Sequence, residues 1–230
     1  MFYKITIYFL ISSFCLAIFA KKTFANYPEE ILEKYKQIPP MIDYYPFSDF
    51  SFDDVRIKWN PFNNLRRKSG SVFFAIGEPL FLEGYLTDIN GVPIDNVQIK
   101  LVQANSNGVY NHLVEKTDAL FDSNFAGNGV TYTDNRGYYR FLTVFPGYYN
   151  NRAPHLHVVF EHEKYGRIET EIFFANHPRN KTDPKYKKLN ESQKKNVTAS
   201  VFFINFKEKD AGKRAVFNVT FNTNQTTKTL

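Results

Sequence analysis

Apolar and polar residues alternate with a period of two over much of this chain. Residues 79–87 (PLFLEGYLT) and 97–104 (VQIKLVQA) read as strands, and in the second Val97, Ile99 and Leu101 fall on one face. Residues 131–134 and 137–144 flank the tight turn Asn135-Arg136-Gly137, and residues 155–161, 169–174, 199–206 and 215–221 supply four more strands. Asn90-Gly91 is a hairpin signal, because both residues tolerate positive φ, and Pro146-Gly147 marks a further turn. Helical spacing is confined to residues 27–37 (YPEEILEKYKQ), where Ile31, Leu32 and Tyr35 sit among charges and Pro39-Pro40 ends the run. Residues 41–71 are irregular, aromatic and punctuated by Asn and Pro, which reads as an arm packing on the main domain or on a partner subunit. Residues 177–195 are polar and Lys-rich and read as a loop with helical turns. Many short strands without βαβ alternation predict an all-β fold, an antiparallel β-sandwich with an irregular, partly helical N-terminal arm.

Length changes this picture little: 230 residues hold one sizeable domain with an arm, and 43% hydrophobic residues suffice for a core. The first residues look like a targeting segment. Residues 5–20 (ITIYFLISSFCLAIFA) form an apolar run short for a membrane span and suited to a signal sequence. Small residues follow, and cleavage after Ala25 is the expected processing; an uncleaved anchor is the alternative. The expected layout is a signal peptide over 1–25, an arm over 26–70 and a catalytic domain over 71–230. The mature protein is then secreted or periplasmic, without stable membrane association.

Losing Lys4, Lys21 and Lys22 takes the 29 basic residues to 26 against 23 acidic, a net charge of about +3. That balance gives no reason to expect nucleic-acid binding, and Arg66-Arg67-Lys68 reads as a solvated loop. The single cysteine, Cys15, lies in the apolar run, so a mature chain has none. Disulfides, zinc–thiolate sites, iron–sulfur clusters and cysteine nucleophiles are excluded together. Any metal must be held by nitrogen and oxygen. Five Asn-x-Ser/Thr sequons (Asn180, Asn190, Asn196, Asn218, Asn224) cluster near the end and would be glycan acceptors in a eukaryotic host.

The candidate chemistry lies between Val102 and Phe160. His155 and His157 stand two apart on a predicted strand, so both imidazoles share a face. Tyr110 follows the turn 105–108, and Tyr149 follows Pro146-Gly147, so both phenols sit in loops at strand ends, where sites are commonly built. A free phenol has a pKa of about 10. Ligation at neutral pH therefore needs a strongly acidic cation, and ferric iron suits such a set better than zinc or magnesium.

The motifs that surround these residues resemble one known family. They run Asn90-Gly91-x-Pro93, Gln103-Ala104-Asn105, Gly108-x-Tyr110-x-His112 and Asp122-x-Asn124-Phe125-x-Gly127-x-Gly129. Then follow Thr133-Asp134-x-x-Gly137-Tyr138-Tyr139-x-Phe141, Thr143-x-x-Pro146-Gly147-x-Tyr149 and Arg152-x-x-His155-x-His157. In this order and spacing, over residues 77–178, the chain resembles the intradiol ring-cleavage dioxygenases, closest to the protocatechuate 3,4-dioxygenase type.

The resemblance implies a prealbumin-like sandwich and a non-haem Fe(III) held by Tyr110, Tyr149, His155 and His157. Tyr110 and His155 would be equatorial, and Tyr149 and His157 axial. It implies cleavage of a catechol-type ring with O2 to a cis,cis-muconate-type diacid. Tyr149 would be released to take a substrate proton, and Arg152 would stabilise charge on the reacting ring. A silent sandwich module binding a metal or phenolic ligand is the alternative. A hydrolytic zinc enzyme is weaker, because no carboxylate stands near the two histidines as an evident third ligand. Two positions depart from the family pattern: Glu171 stands where a Gln near the substrate is usual, and Asn151 where a bulky aromatic is common.

Overall fold

The computed structural model describes residues 29–40, 50–204 and 212–222. The expected signal segment over 1–25, much of the arm over 41–49 and the sequon at Asn224 lie outside them. The chain divides into two compact units, residues 1–37 and 38–230. The first contains helix α1 (Glu29–Lys36), as the spacing predicted, with an exposed Glu33–Lys36 pair in its last turn.

Among the described residues the second unit holds nine strands: β1 (Pro79–Asp88), β2 (Gln98–Val102), β3 (Asn128–Tyr132), β4 (Tyr138–Val144), β5 (His155–His162), β6 (Gly166–Phe174), β7 (Thr198–Ile204), β8 (Gly212–Val216) and β9 (Val219–Phe221). The all-β expectation is met, but the antiparallel prealbumin-like sandwich is not. One mixed sheet runs β3-β2-β5-β6-β7-β8-β1-β4, with β9 on β1, and is nearly closed into a barrel as β3 and β4 touch. The pairs β1–β8, β1–β9 and β6–β7 are parallel.

The physical reason lies in the connections. Alternation reports which side chains face inward and nothing about the direction of the neighbouring strand. Parallel neighbours need a crossover of a dozen or more residues, and the stretch 175–197 between β6 and β7 provides one. It is the segment read as a polar loop, and it carries two 3-10 turns (Pro178–Lys181 and Tyr186–Lys188) and helix α2 (Glu191–Asn196). Asn190 caps α2 in a capping box with Gln193, which satisfies backbone N–H groups at that end.

The core forms where inward faces meet. Leu80, Leu82 and Leu86 of β1, Tyr139 and Phe141 of β4, and Leu156, Val158 and Phe160 of β5 belong to one buried cluster. Leu65, from the irregular stretch before β1, is also fully buried there, and its N–H donates to the Leu142 carbonyl. Gly84 permits the inner wall to close, because a Cβ there would collide with the Phe217 backbone.

Two sequons are structural asparagines. Asn180 Nδ2 donates to the Phe174 carbonyl, and Asn218 Oδ1 accepts from the Tyr85 N–H; both side chains are buried, so the fold leaves neither open to a glycan. Among the described residues no helix is long and apolar enough to cross a membrane.

Candidate metal centre

Strand β5 is buried on both faces. Leu156, Val158 and Phe160 point into the core, and the alternate residues His155, His157 and Val159 point the other way. The two imidazoles therefore come together as the spacing required: His155 Nε2 and His157 Nε2 lie 3.3 Å apart. Nδ1 of His155 is 2.7 Å from the Ala153 carbonyl oxygen. A carbonyl only accepts, so Nδ1 carries the proton and Nε2 of the neutral ring presents its lone pair to the centre. Burial pushes the pKa of His155 down and that of His157 well down, with His155, Arg152 and Lys185 adding to the effect on His157.

The phenols arrive from two loops locked to each other. Asn105 organises the first. Its Oδ1 accepts from the N–H groups of Asn107 and Val109, its Nδ2 donates to the Leu120 carbonyl, and its own carbonyl accepts from Gly108 and Gly147. Gly108 has φ +80°, and a Cβ on it would strike the Tyr148 carbonyl. Only glycine lets the two loops approach this closely. In the second loop Asn150 takes φ +49°, and the Arg152 N–H donates to the Tyr149 carbonyl, so a tight turn presents Tyr149 and Arg152 together.

The result is one cluster. The Tyr149 hydroxyl is 3.3 Å from His155 Nε2. The Tyr110 ring meets Tyr149 edge-on at 5.3 Å and lies 5.9 Å from His157. All four predicted ligand residues are thus brought together. Tyr148, the neighbour of Tyr149, is exposed and stacks under Arg179 instead.

The Tyr110 hydroxyl is buried and makes no well-formed hydrogen bond, and the Tyr149 hydroxyl is its polar neighbour. Orphaned buried hydroxyls are uncommon because each forfeits its bonds to water. Burial, then the neighbouring Tyr149, raises the pKa of Tyr110 well above the usual phenol value, and burial raises that of Tyr149. Two neutral imidazole nitrogens and two phenols in close proximity form a donor set that a strongly acidic cation would satisfy at once.

Beside this cluster lies a buried charge network. Arg152 bonds Glu171 Oε2 closely, and its Nε is 2.9 Å from Asp183 Oδ2. Lys185 Nζ is 2.9 Å from Glu171 Oε1. Asp183 also accepts from the N–H groups of Ala153, Lys185 and Tyr186. Burial alone would raise the pKa of Asp183, but these backbone donors and Arg152 hold it down. Burial works against the charge on Arg152, and Glu171 and Asp183 more than offset it, raising its pKa.

The expectation that no carboxylate stands near the histidines is corrected here. Glu171 pairs with His157 across β5 and β6, and one of its oxygens lies within 4.8 Å of a nitrogen of each histidine. Both its oxygens are already engaged by Arg152 and Lys185, so a 2-His-1-carboxylate site would have to break both ion pairs.

Sequence reading found the four clustered residues, Arg152 and the position of Glu171. It missed Asp183 and Lys185, which sit in the segment read as a polar loop. It also missed Phe50, which stacks on His157 with ring centres 4.4 Å apart. None of the three carries a periodic or spacing signal; only their contacts mark them.

These features define an all-β, barrel-like domain with a candidate metal centre, and the chain belongs to the intradiol ring-cleavage dioxygenase family. The Dioxygenase family model matches residues 63–223. The protocatechuate 3,4-dioxygenase beta chain of Burkholderia cepacia is 37% identical over 117 residues, 47% of this chain and 50% of that one. Catechol 1,2-dioxygenase of Acinetobacter baylyi is 26% identical over 120 residues, covering 44% and 38%. The chain thus spans about half the length of the first of these relatives and less of the second. The dioxygenase domain of a dioxygenase–carbohydrate-binding fusion from Streptomyces sp. SirexAA-E superposes with a TM-score of 0.57 at 23% identity, over 80% of this chain and 99% of that one. An intradiol ring-cleavage dioxygenase from Tetranychus urticae gives 0.56 at 19% identity, over 74% and 91%. These two likenesses concern the fold alone.

Proposed function

We propose that this protein is a non-haem Fe(III) intradiol dioxygenase that opens a catechol-type ring with O2 to a cis,cis-muconate-type diacid. The observation that carries the reading is the buried, unpartnered Tyr110 hydroxyl beside two imidazole Nε2 atoms facing each other. Tyr110, Tyr149, His155 and His157 would hold the iron. Ferric iron, when bound, supplies the Lewis acidity that ionises phenols and activates a chelated catecholate toward O2.

The chain's own groups do the rest. His155 is fixed in one tautomer by the Ala153 carbonyl, so its lone pair is pre-aimed. Tyr149 is less buried than Tyr110 and sits on a turn, which suits it to accept a substrate proton at its phenolic oxygen. Arg152, on the same turn as Tyr149, would point its guanidinium at charge on the reacting ring, its direction fixed by Glu171 and Asp183. Glu171, a carboxylate where the family usually has an amide, is compatible with an anionic substrate because Arg152 and Lys185 neutralise it. Phe50 and Val159 exclude water around the histidines.

Oxygen uptake with a panel of substituted catechols, with the product identified, tests the reading. Uptake matched by ring-opened diacid is the expected result. A protein that binds iron and consumes no O2 with any catechol would instead be a silent module holding a metal or a phenolic ligand. The same reading assigns residues 1–25 to export, 26–70 to an arm and 71–230 to the catalytic domain, in a secreted or periplasmic protein. Protein recovered outside the cytoplasm should then begin at Asn26; a chain retaining Met1 would contradict this.

A further inference from the structure

The crossover 175–197 carries a turn built on Asp183, and this buried residue divides its two oxygens between separate tasks. Oδ1 accepts from the N–H groups of Lys185 and Tyr186, two and three residues on, both at 2.9 Å. These are the bonds of a local turn closed on its own side chain. Oδ2 leaves the turn. It accepts from the Ala153 N–H at 2.8 Å and from Arg152 Nε at 2.9 Å, thirty and thirty-one residues away in sequence. A carboxylate that served only its own turn would need the first oxygen alone.

Two consecutive residues of the centre therefore hang on one oxygen atom, and each leads to a different side chain. Arg152 is gripped on two edges, Nε by Asp183 and Nη2 by Glu171, so its guanidinium cannot turn without breaking a buried ion pair. Its own N–H donates to the Tyr149 carbonyl, which ties the Tyr149 turn to the same anchor. Ala153 is the other lead. Its carbonyl accepts the Nδ1 proton of His155 at 2.7 Å. The next residue is Pro154, which restricts Ala153 to extended backbone. Anchoring the Ala153 N–H thus also sets where its carbonyl points. Packing repeats the connection, because Ala153 shares a buried cluster with Leu189 and Val197 of the crossover.

We propose that Asp183 is a positioning residue of the metal centre: one carboxylate oxygen sets the direction of the Arg152 guanidinium and, through Ala153, the ring nitrogen on which His155 carries its proton. The His155 half stands on hydrogen-bond geometry; the Arg152 half rests on the ring-cleaving reading of the centre. The crossover is then part of the apparatus that aims the site.

Asp183→Ser isolates the long-range oxygen. A serine hydroxyl still accepts from N–H groups two or three residues on, which keeps the local turn, but it has no second oxygen for Arg152 and Ala153. Asp183→Asn is the second variant; it keeps the shape and places an amide NH2 against one of the two sets of donors. Nitrogen NMR of the imidazoles, in the full chain before iron loading, reads the tautomer directly. Wild-type His155 should be protonated at Nδ1 alone. In Asp183→Ser its signals should move toward a mixture with the Nε2–H form. Iron affinity, measured by competition with a chelator, should fall about 10–100-fold. Turnover of a cleaved catechol should lose about tenfold in kcat with a smaller change in KM. Asp183→Asn should move the same readouts in the same direction. A variant with a lowered urea midpoint but wild-type imidazole signals, iron affinity and kcat would make Asp183 a purely structural carboxylate and overturn the proposal. Wild-type His155 protonated at Nε2 would overturn it even if neither variant folds. If the wild type cleaves no catechol, the ring-cleaving reading fails on its own, and the tautomer and iron affinity still decide the role of Asp183.

Discussion

The two faces of β5 are equally buried and chemically opposite. On one, Leu156, Val158 and Phe160 meet the β1 and β4 side chains in a dry hydrocarbon cluster. On the other, His155 and His157 meet two phenols, with Phe50 stacked over His157. Adjacent residues on one strand thus serve stability and chemistry separately, and burial alone does not distinguish them. The core face has every group satisfied by apolar contact. The site face carries an orphaned hydroxyl and two imidazoles in contact through Nε2, an arrangement a cation would relieve.

Substitutions on the two faces should separate accordingly. His155→Ala has the largest expected effect: iron content after reconstitution should fall to background and oxygen uptake should vanish, with little change in the unfolding midpoint of the metal-free protein. A variant that kept its iron would break the division between faces. Phe160→Ala should do the reverse, losing about 3–5 kcal/mol in denaturant unfolding while the folded fraction still loads iron.

Glu171→Gln sharpens the boundary between the two roles. Removing one buried negative charge takes the Glu171 contact from both Lys185 and Arg152, and Arg152 keeps Asp183. A loss of about 1–3 kcal/mol is expected in urea titration. No loss would show that the network contributes nothing to the fold.

The smallest effect is on pH dependence. Burial holds both site histidines below the usual value of 6.5 in the folded, metal-free chain. An unfolded chain therefore binds protons first, and stability falls as pH drops below about 6.5, over the interval between the unfolded and the depressed folded pKa values. The urea midpoint of metal-free protein should be lower at pH of about 5.5 than at about 7.5. The opposite slope would mean that the imidazoles are charged in the folded state.

Much of the site was legible in the chain because its geometry is local. His155 and His157 share a face by strand periodicity. Tyr110 and Tyr149 sit beside glycine-bearing turns whose purpose, visible in the Gly108–Tyr148 contact, is to pack two loops together. The sheet was less legible. Alternation predicted most of the strands but not the parallel β6–β7 and β1–β8 pairs, because direction depends on long connections rather than on side-chain pattern. The same blind spot hid Asp183 and Lys185. The crossover 175–197 looked like solvated loop, yet it returns one acid and one base to Arg152 and Glu171. A polar residue that folds back to satisfy a buried charge leaves no local signature.

If the site works as proposed, two phenols and two imidazoles grip a single metal ion. Titrating metal-free protein with Fe(III) while recording visible absorption, alongside Tyr110→Phe, tests it most directly. The account predicts a burgundy tyrosinate-to-iron band that saturates at one iron per chain and shifts on adding catechol, with a weaker band and weaker iron binding in the variant. A wild-type protein that stays colourless, or a Tyr110→Phe protein with an undiminished band, would contradict it.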